Sequence, residues 1–213
     1  MSLIVAIDGP AAAGKGTLAK RLAAHFGLPH LDTGLLYRAT GRRVLDGGGD
    51  PADPATATAA ARALHPADFD RPDLRGPDAD AAAACVASIP AVRAALLDFQ
   101  REFGRARGAV LDGRDIGTIV FPQARIKLFV TASAEARGRR RWLELRGRGT
   151  AADLAEVTAQ VRLRDQQDRD RAAAPLLAAE DALPLDTTDL DADATFARAL
   201  ALIEDRLAAQ PLP

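Results

Sequence analysis

The chain has little sulfur and few aromatic rings: its 213 residues include one cysteine, one methionine, one tryptophan and one tyrosine. A single thiol, Cys85, excludes an internal disulfide framework and a cysteine-rich zinc site, and it suits a reducing compartment. Asparagine is missing altogether, which removes the Asn-Lys-x-Asp guanine reader of a GTPase switch. Neither sign of charge prevails, since 28 Lys and Arg stand against 29 Asp and Glu. No global field would hold a polyanion, and the arginine-rich stretches lack interleaved aromatics, so no nucleic-acid partner is expected. No apolar run approaches the roughly 20 residues that a membrane span needs. The first strand begins within a few residues of Met1, so the expectation is a cytoplasmic protein with no leader and no membrane partner.

What is present is concentrated at the start. Leu3-Ile4-Val5-Ala6-Ile7 is an apolar, β-branched run, followed by Asp8 to Thr17 and then by helical spacing from Leu18 to Phe26. The order is strand, glycine-framed loop, helix. Gly9 and Gly14 supply backbone without a Cβ where the chain must wrap a phosphate. A helix starting near Lys15 points its unpaired N–H groups at the same place, and Lys15 adds a cation. Gly9, Pro10, Ala11, Ala12, Ala13, Gly14, Lys15, Gly16 and Thr17 therefore read as a cradle for ATP phosphates. The usual hydroxyl directly after the lysine is replaced by Gly16, with Thr17 one step later; this Gly-Lys-Gly-Thr form resembles the P-loop of nucleoside monophosphate kinases.

Downstream, strands alternate with helices, which predicts a parallel sheet with helices on both faces. Gly27 reads as a helix C-cap, and His30-Leu31 as a short strand running into Asp32-Thr33-Gly34. A helix follows over 35–45 with Leu36, Tyr37, Thr40 and Val44 inward and Arg38 off that stripe. Residues 55–64 predict a short helix, and another resumes near Ala79. Pro90 interrupts it or opens the next, which runs to about Arg105 with Val92, Leu96, Phe99 and Phe103 inward. Ala109-Val110-Leu111 is a buried-strand run ending in Asp112-Gly113-Arg114-Asp115, so that charged residues sit at the carboxyl edge where open α/β sheets bind ligands. After a strand at 126–130, a helix from Ala134 carries Arg137, Arg139, Arg140, Arg141, Arg146 and Arg148, with Gly147 and Gly149 at its far end. Three readings fit these arginines: a solvated face, a nucleic-acid patch, or a lid over phosphates, which their position favours. Thr150 to Asp153 resembles a capping box before a helix with Leu154, Val157 and Val161 on one face. Arg164, Asp168 and Arg171 share a face of that helix, either as mutual salt bridges or as a row facing a ligand. A strand at 183–186 and a closing helix over about 193–207, capped by an aspartate, complete the chain.

Five segments, taken in order, resemble the bacterial cytidylate kinases: Ile-Asp-Gly-Pro-x-x-x-Gly-Lys-Gly-Thr at 7–17, Leu-Asp-Thr-Gly-x-x-Tyr-Arg at 31–38, Pro-x-Val-Arg at 90–93, Asp-Gly-Arg-Asp-Ile-Gly-Thr-x-Val-Phe-Pro at 112–122, and Arg-Asp-x-x-Asp-x-x-Arg-x-x-x-Pro-Leu at 164–176. The resemblance implies an α/β P-loop NTPase-type fold with a five-stranded parallel sheet. It divides the chain into a core (1–32, 106–133, 172–213), an acceptor-binding lobe (33–105) with a small antiparallel sheet, and a lid (134–171). It implies ATP-dependent phosphorylation of CMP and dCMP by a monomer, with Mg²⁺ carried by ATP and reached through water from Thr17 or Asp112. Carried over by position, Lys15, Arg141 and Arg171 would neutralise the transferred phosphoryl group, and Arg38, Arg114 and Arg164 would grip the acceptor phosphate. Asp168 would contact the ribose, Arg93 and Asp115 would read the cytosine edge, and Thr33 would line the acceptor site. Two departures from the pattern stand out: Ala84 replaces a serine common in the family, and the insert between Phe69 and Ala84 is short.

Overall fold

The computed structural model describes residues 3–209, the side chain of residue 77 apart. In chain order the elements are β1 (Ile4–Asp8), α1 (Lys15–Phe26), β2 (His30–Asp32), α2 (Thr33–Asp46), α3 (Pro54–Arg62), α4 (Pro77–Ala87), α5 (Pro90–Arg107), β3 (Ala109–Gly113), β4 (Ile126–Thr131), α6 (Ala134–Gly147), α7 (Leu154–Asp170), β5 (Leu183–Asp186) and α8 (Ala192–Ala209). The chain divides into two compact units, Met1–His30 with Arg107–Pro213, and Leu31–Ala106.

The first unit is built on a five-stranded parallel sheet in the order β2-β3-β1-β4-β5, flanked by helices. β1 pairs in parallel with both β3 and β4, and its last residue, Asp8, is level with Gly113 and with Phe129. The loops that leave β1 and β3 therefore emerge at one edge, beside the strand where the connections diverge. Open α/β sheets bind their ligands there. Val5, Ile7, Val110, Ile126, Leu128 and Val130 pack with Leu18 and Leu22 of α1 and Ala199 and Ile203 of α8 into one buried cluster. α1 stops where the sequence predicts: Gly27 adopts φ 63°, and its N–H caps carbonyls of the last turn. Asp191 starts α8 by accepting from the Ala194 N–H at 2.8 Å.

Two predictions about α7 need correction. The cap is Asp153 itself, whose carboxylate accepts from the N–H groups of Ala155 and Glu156. Leu154 is 41% exposed, whereas Val157 and Val161 are buried. Leu154 shares the face of Val157 and Val161 by helical period, but the burial of that face does not reach the first turn.

The second unit is helical. Leu36 and Val44 of α2, Ala57 and Ala61 of α3, Val86 of α4, and Val92 and Leu96 of α5 form its core. Thr40 lies within the α2 stripe and satisfies its hydroxyl on the Leu36 carbonyl at 2.8 Å. Between α3 and α4 the short segment makes two 3₁₀ turns, Pro66–Phe69 and Pro72–Leu74. After β2, none of the described residues of this unit is in a strand, so the small antiparallel sheet implied for the lobe is not formed. Proline-initiated helical turns occupy its place. Phe99 also departs from expectation: it is 44% exposed, and the buried face of α5 continues instead through Gln100 and Gly104. Its ring meets that of Phe69 at 6.3 Å between centroids, so it covers the edge of the unit without entering its core. Among the described residues no single helix is long and apolar enough to cross a membrane.

Candidate active site

The loop after β1 is shaped by close contacts. A Cβ on Gly9 would stand 1.9 Å from the Val130 carbonyl oxygen, so no side chain fits there. Ala12 adopts φ 59° and Gly14 φ 90°. For alanine that left-handed conformation costs about 1 kcal/mol, so the surroundings must impose it. The first intrahelical bond of α1 runs from Leu18 N to Gly14 O, which leaves the N–H groups of Lys15, Gly16 and Thr17 as the orphan donors of a helix start. Lys15 folds back over this loop and donates to the Pro10 carbonyl at 2.7 Å. Burial, assisted by the positive charge of Arg114, brings its pKa down to about 7.

Asp8 anchors the start of the loop. Its carboxylate accepts from Ile116 N at 2.8 Å and from Gly117 N at 2.7 Å, joining the loop to the π-helical turn Ile116–Val120. Burial pushes its pKa up to about 6 against those hydrogen bonds, with the negative charge of Asp115 adding to the rise. Asp112, at the end of β3, has Oδ1 2.7 Å from His30 Nε2, while its Oδ2 would lie 3.9 Å from a Cβ on Gly16. Asp115 is 5% exposed, at the bend between β3 and the π-helical turn.

α7 contributes the second charged group. Asp168 is 1% exposed and receives Arg114 Nε at 2.7 Å, Arg164 Nε at 3.4 Å, and Arg171 Nη2. Burial pushes the Asp168 carboxyl up, but the charges of Arg114, Arg164 and Arg171 prevail and hold it below the usual carboxylate range. Of the two readings of the row on α7, the mutual salt bridges are formed. Three guanidiniums thus converge on one mostly desolvated carboxylate. Arg114, Asp112 and Asp168 all act on the charge of Lys15, so the row and the cradle lie within one electrostatic field.

Of the arginines on α6, Arg141 pairs with Glu144 at 2.8 Å. Arg137, which the sequence did not distinguish from its neighbours, is 4% exposed. Its guanidinium grips Asp165 with two bonds of 2.8 and 2.6 Å. α6 and α7 approach closely at Gly138, where a Cβ would be 2.3 Å from Thr158 Oγ1. Arg140 donates to the hydroxyl and carbonyl of Thr187. Beside it, Ser133, Arg139, Leu143, Thr188 and Asp189 line a cleft of about 580 Å³. No spacing signal marks Arg137, Asp165 or Thr187, since each is selected by partners far along the chain.

The second unit fixes its own predicted residues internally. Arg38 Nε donates to Asp80 Oδ1 at 2.9 Å, and a Cβ on Gly34 would stand 3.0 Å from Arg38 Nη1. Arg93 donates to the Ala87 carbonyl at 3.2 Å and lies over the Tyr37 ring, 5.4 Å from its centroid. Thr33 is buried at the start of α2.

The described residues contain no group of three or more His, Cys, Asp or Glu side chains able to hold a metal ion. Thr17 and Asp112 are hard oxygen donors beside the cradle. They fit a divalent ion held mostly by phosphate oxygens and water rather than by a protein cage.

A parallel sheet with this loop at its edge and a row of three arginines on one carboxylate in the same unit defines a P-loop phosphotransferase. The family model for cytidylate kinase matches residues 5–205. The cytidylate kinase of Granulibacter bethesdensis is 63% identical over 203 residues, 95% of this chain and 97% of that protein. That of Acidiphilium cryptum is 61% identical over 206 residues, 97% of each chain. A crystal structure of an uncharacterized protein from Eubacterium ventriosum shares the fold, with a TM-score of 0.56 at 14% identity over 96% of this chain and 99% of that one. This chain belongs to the cytidylate kinase family. It is a nucleoside monophosphate kinase, in which transfer from ATP implies a divalent metal.

Proposed function

We propose that the protein transfers the γ-phosphoryl group of Mg·ATP to CMP and dCMP by in-line displacement. One observation carries this reading: Lys15 in its phosphate cradle shares an electrostatic field with a separate row, Arg114, Arg164 and Arg171 on Asp168. Transfer between two phosphates requires two such sites, one for each anion. The attacking acceptor phosphate is already anionic and needs no general base, so the protein's work is to position both partners and neutralise spreading charge.

In this reading residues 9–17 hold the donor phosphates, and Lys15, Arg171 and Arg141 neutralise the group in flight. Bound Mg²⁺ supplies further neutralisation; Thr17 or Asp112 would hold it through water. Thr187 bonds to the cradle at Ala13 O, and its neighbour Thr188 lines the cleft in which this reading places the donor base. For the acceptor, the first unit offers Arg114 and Arg164 to the phosphate, Asp168 to the ribose, and Asp115 to the cytosine N4 donor. The second unit offers Thr33, Arg38 and Arg93. Residues 134–171 act as a lid that excludes water during transfer. The protein works in the cytoplasm as a monomer.

The test is ADP release from Mg·ATP with CMP, dCMP, UMP, AMP or no acceptor at one salt concentration. Turnover should be confined to CMP and dCMP, and release without acceptor should be far slower. Equal turnover with UMP or AMP would overturn the acceptor assignment, and fast release without acceptor would overturn the lid.

Binding of the donor should also move a proton. Near pH 8 a Lys15 with a pKa of about 7 is mostly neutral. An adjacent triphosphate raises that pKa, because the charged ammonium gains an anionic partner. Mg·ATP binding at pH 8 is therefore expected to take up close to one proton, and at pH 6 little through this group. Calorimetry in two buffers of different ionisation enthalpy reads the uptake. A heat independent of buffer at pH 8 would contradict the placement of phosphate beside Lys15.

A further inference from the structure

The cradle is held open by its carbonyls. Arg137 Nη1 donates to Ala11 O at 3.2 Å, and Thr187 Oγ1 lies 3.1 Å from Ala13 O. A trans peptide is planar, with its carbonyl and its N–H on opposite sides. Fixing Ala11 O against α6 therefore turns the Ala12 N–H away from α6. Fixing Ala13 O against Thr187 does the same for the Gly14 N–H. Among the described hydrogen bonds neither N–H donates to a protein acceptor. The residue between the two fixed carbonyls is Ala12, whose left-handed φ of 59° would not be its own preference.

We propose that Arg137 and Thr187 are positioning residues that set two peptides of the loop for a phosphate before the nucleotide arrives. The proposal rests on the reading of residues 9–17 as the donor-phosphate cradle. Each of the two side chains is itself held. Arg137 is buried and fixed by the two bonds to Asp165, and its Nε donates to Ala132 O at 2.8 Å. Its guanidinium therefore cannot turn away from Ala11. Thr187 accepts from Arg140 Nη1 at 3.0 Å. Its hydroxyl oxygen lies 3.0 Å from Thr131 O, but that carbonyl already receives the Thr187 N–H at 2.9 Å, so Ala13 O is the acceptor that depends on the hydroxyl. The bland alternative is that these bonds merely fasten α6, α7 and β5 to the sheet.

The two readings differ in which substrate feels the loss. When a latch is removed, the loop spends less time in the binding form, and the apparent dissociation constant rises by the inverse of the remaining fraction. Thr187→Val, in the full chain, should weaken binding of a non-hydrolysable Mg·ATP analogue about 3- to 10-fold, with CMP affinity unchanged. Thr187→Ser, which keeps the hydroxyl, should stay within about twofold. For the other latch, Arg137→Met with Asp165→Leu removes the buried pair together and leaves no lone charge. It should weaken the same analogue about tenfold. In the nucleotide-free protein the amide resonances of Ala12 and Gly14 should move in Thr187→Val and not in Thr187→Ser. Unchanged analogue binding in Thr187→Val, or an equal loss for analogue and CMP, would overturn the proposal. Lys15→Ala and Gly9→Val separate it from the reading beneath it. If both abolish analogue binding while Thr187→Val has no effect, only the latch is lost. If neither does, the cradle assignment and the latch fall together.

Discussion

Lys15→Ala is expected to lower kcat with saturating Mg·ATP and CMP by on the order of 10³-fold or more, while the protein still folds. The two halves of that expectation have separate causes. In the free protein the amine is buried, and burial lowers its pKa to about 7, so folding bears the cost of burying or discharging it. Removing it relieves that cost, and the melting temperature should fall little or rise. In the proposed transition state the same position faces a phosphoryl group whose charge spreads over its oxygens. A fixed cation in a site shielded from water is worth far more there than in solvent. Lys15→Arg should not rescue turnover, because a planar fork on a longer stem cannot donate to the same point from this pocket. Steady-state kinetics with a melting curve on each variant decide the matter. A near-normal kcat in Lys15→Ala would sink the assignment of the cradle.

Asp115→Asn is expected to reduce the CMP-to-UMP ratio of kcat/KM by roughly 10²-fold or more. Cytosine presents a donor at N4 and acceptors at N3 and O2, matching a carboxylate and a guanidinium. Uracil turns an acceptor toward the carboxylate, and at a side chain only 5% exposed, water cannot repair the mismatch. An asparagine amide can offer its NH₂ to that acceptor, so the penalty against uracil disappears. Paired assays with the two acceptors measure the ratio directly, and an unchanged value would refute base reading by Asp115.

Much of this protein was written in its local sequence. The strand before Asp8, the glycine-framed loop and the helix from Lys15 follow from apolar β-branched residues, missing Cβ atoms and helical spacing within twenty residues. Gly27 ends α1 and Asp191 begins α8, because a left-handed cap and a side-chain acceptor act on neighbouring backbone. The motif after β3 reached the same sheet edge as the loop after β1, because parallel register carries two neighbouring strands to a common end.

What remained hidden depends on residues that meet across long stretches of chain. The row on α7 shows its own salt bridges at helical spacing, but not that Arg114, 54 residues away, also reaches Asp168. Arg137 is one of six arginines on a single stretch, and only Asp165 and the Ala11 carbonyl distinguish it. Phe99 and Leu154 fit a helical period and yet face outward, since period fixes spacing along a helix but not how far the buried stripe extends. The sequence by itself determined the strand, glycine loop and helix at its start and the order of strands and helices, because covalent neighbours dictate them. The tertiary structure alone decided which charged side chains meet, because charge pairing is settled by distance in space.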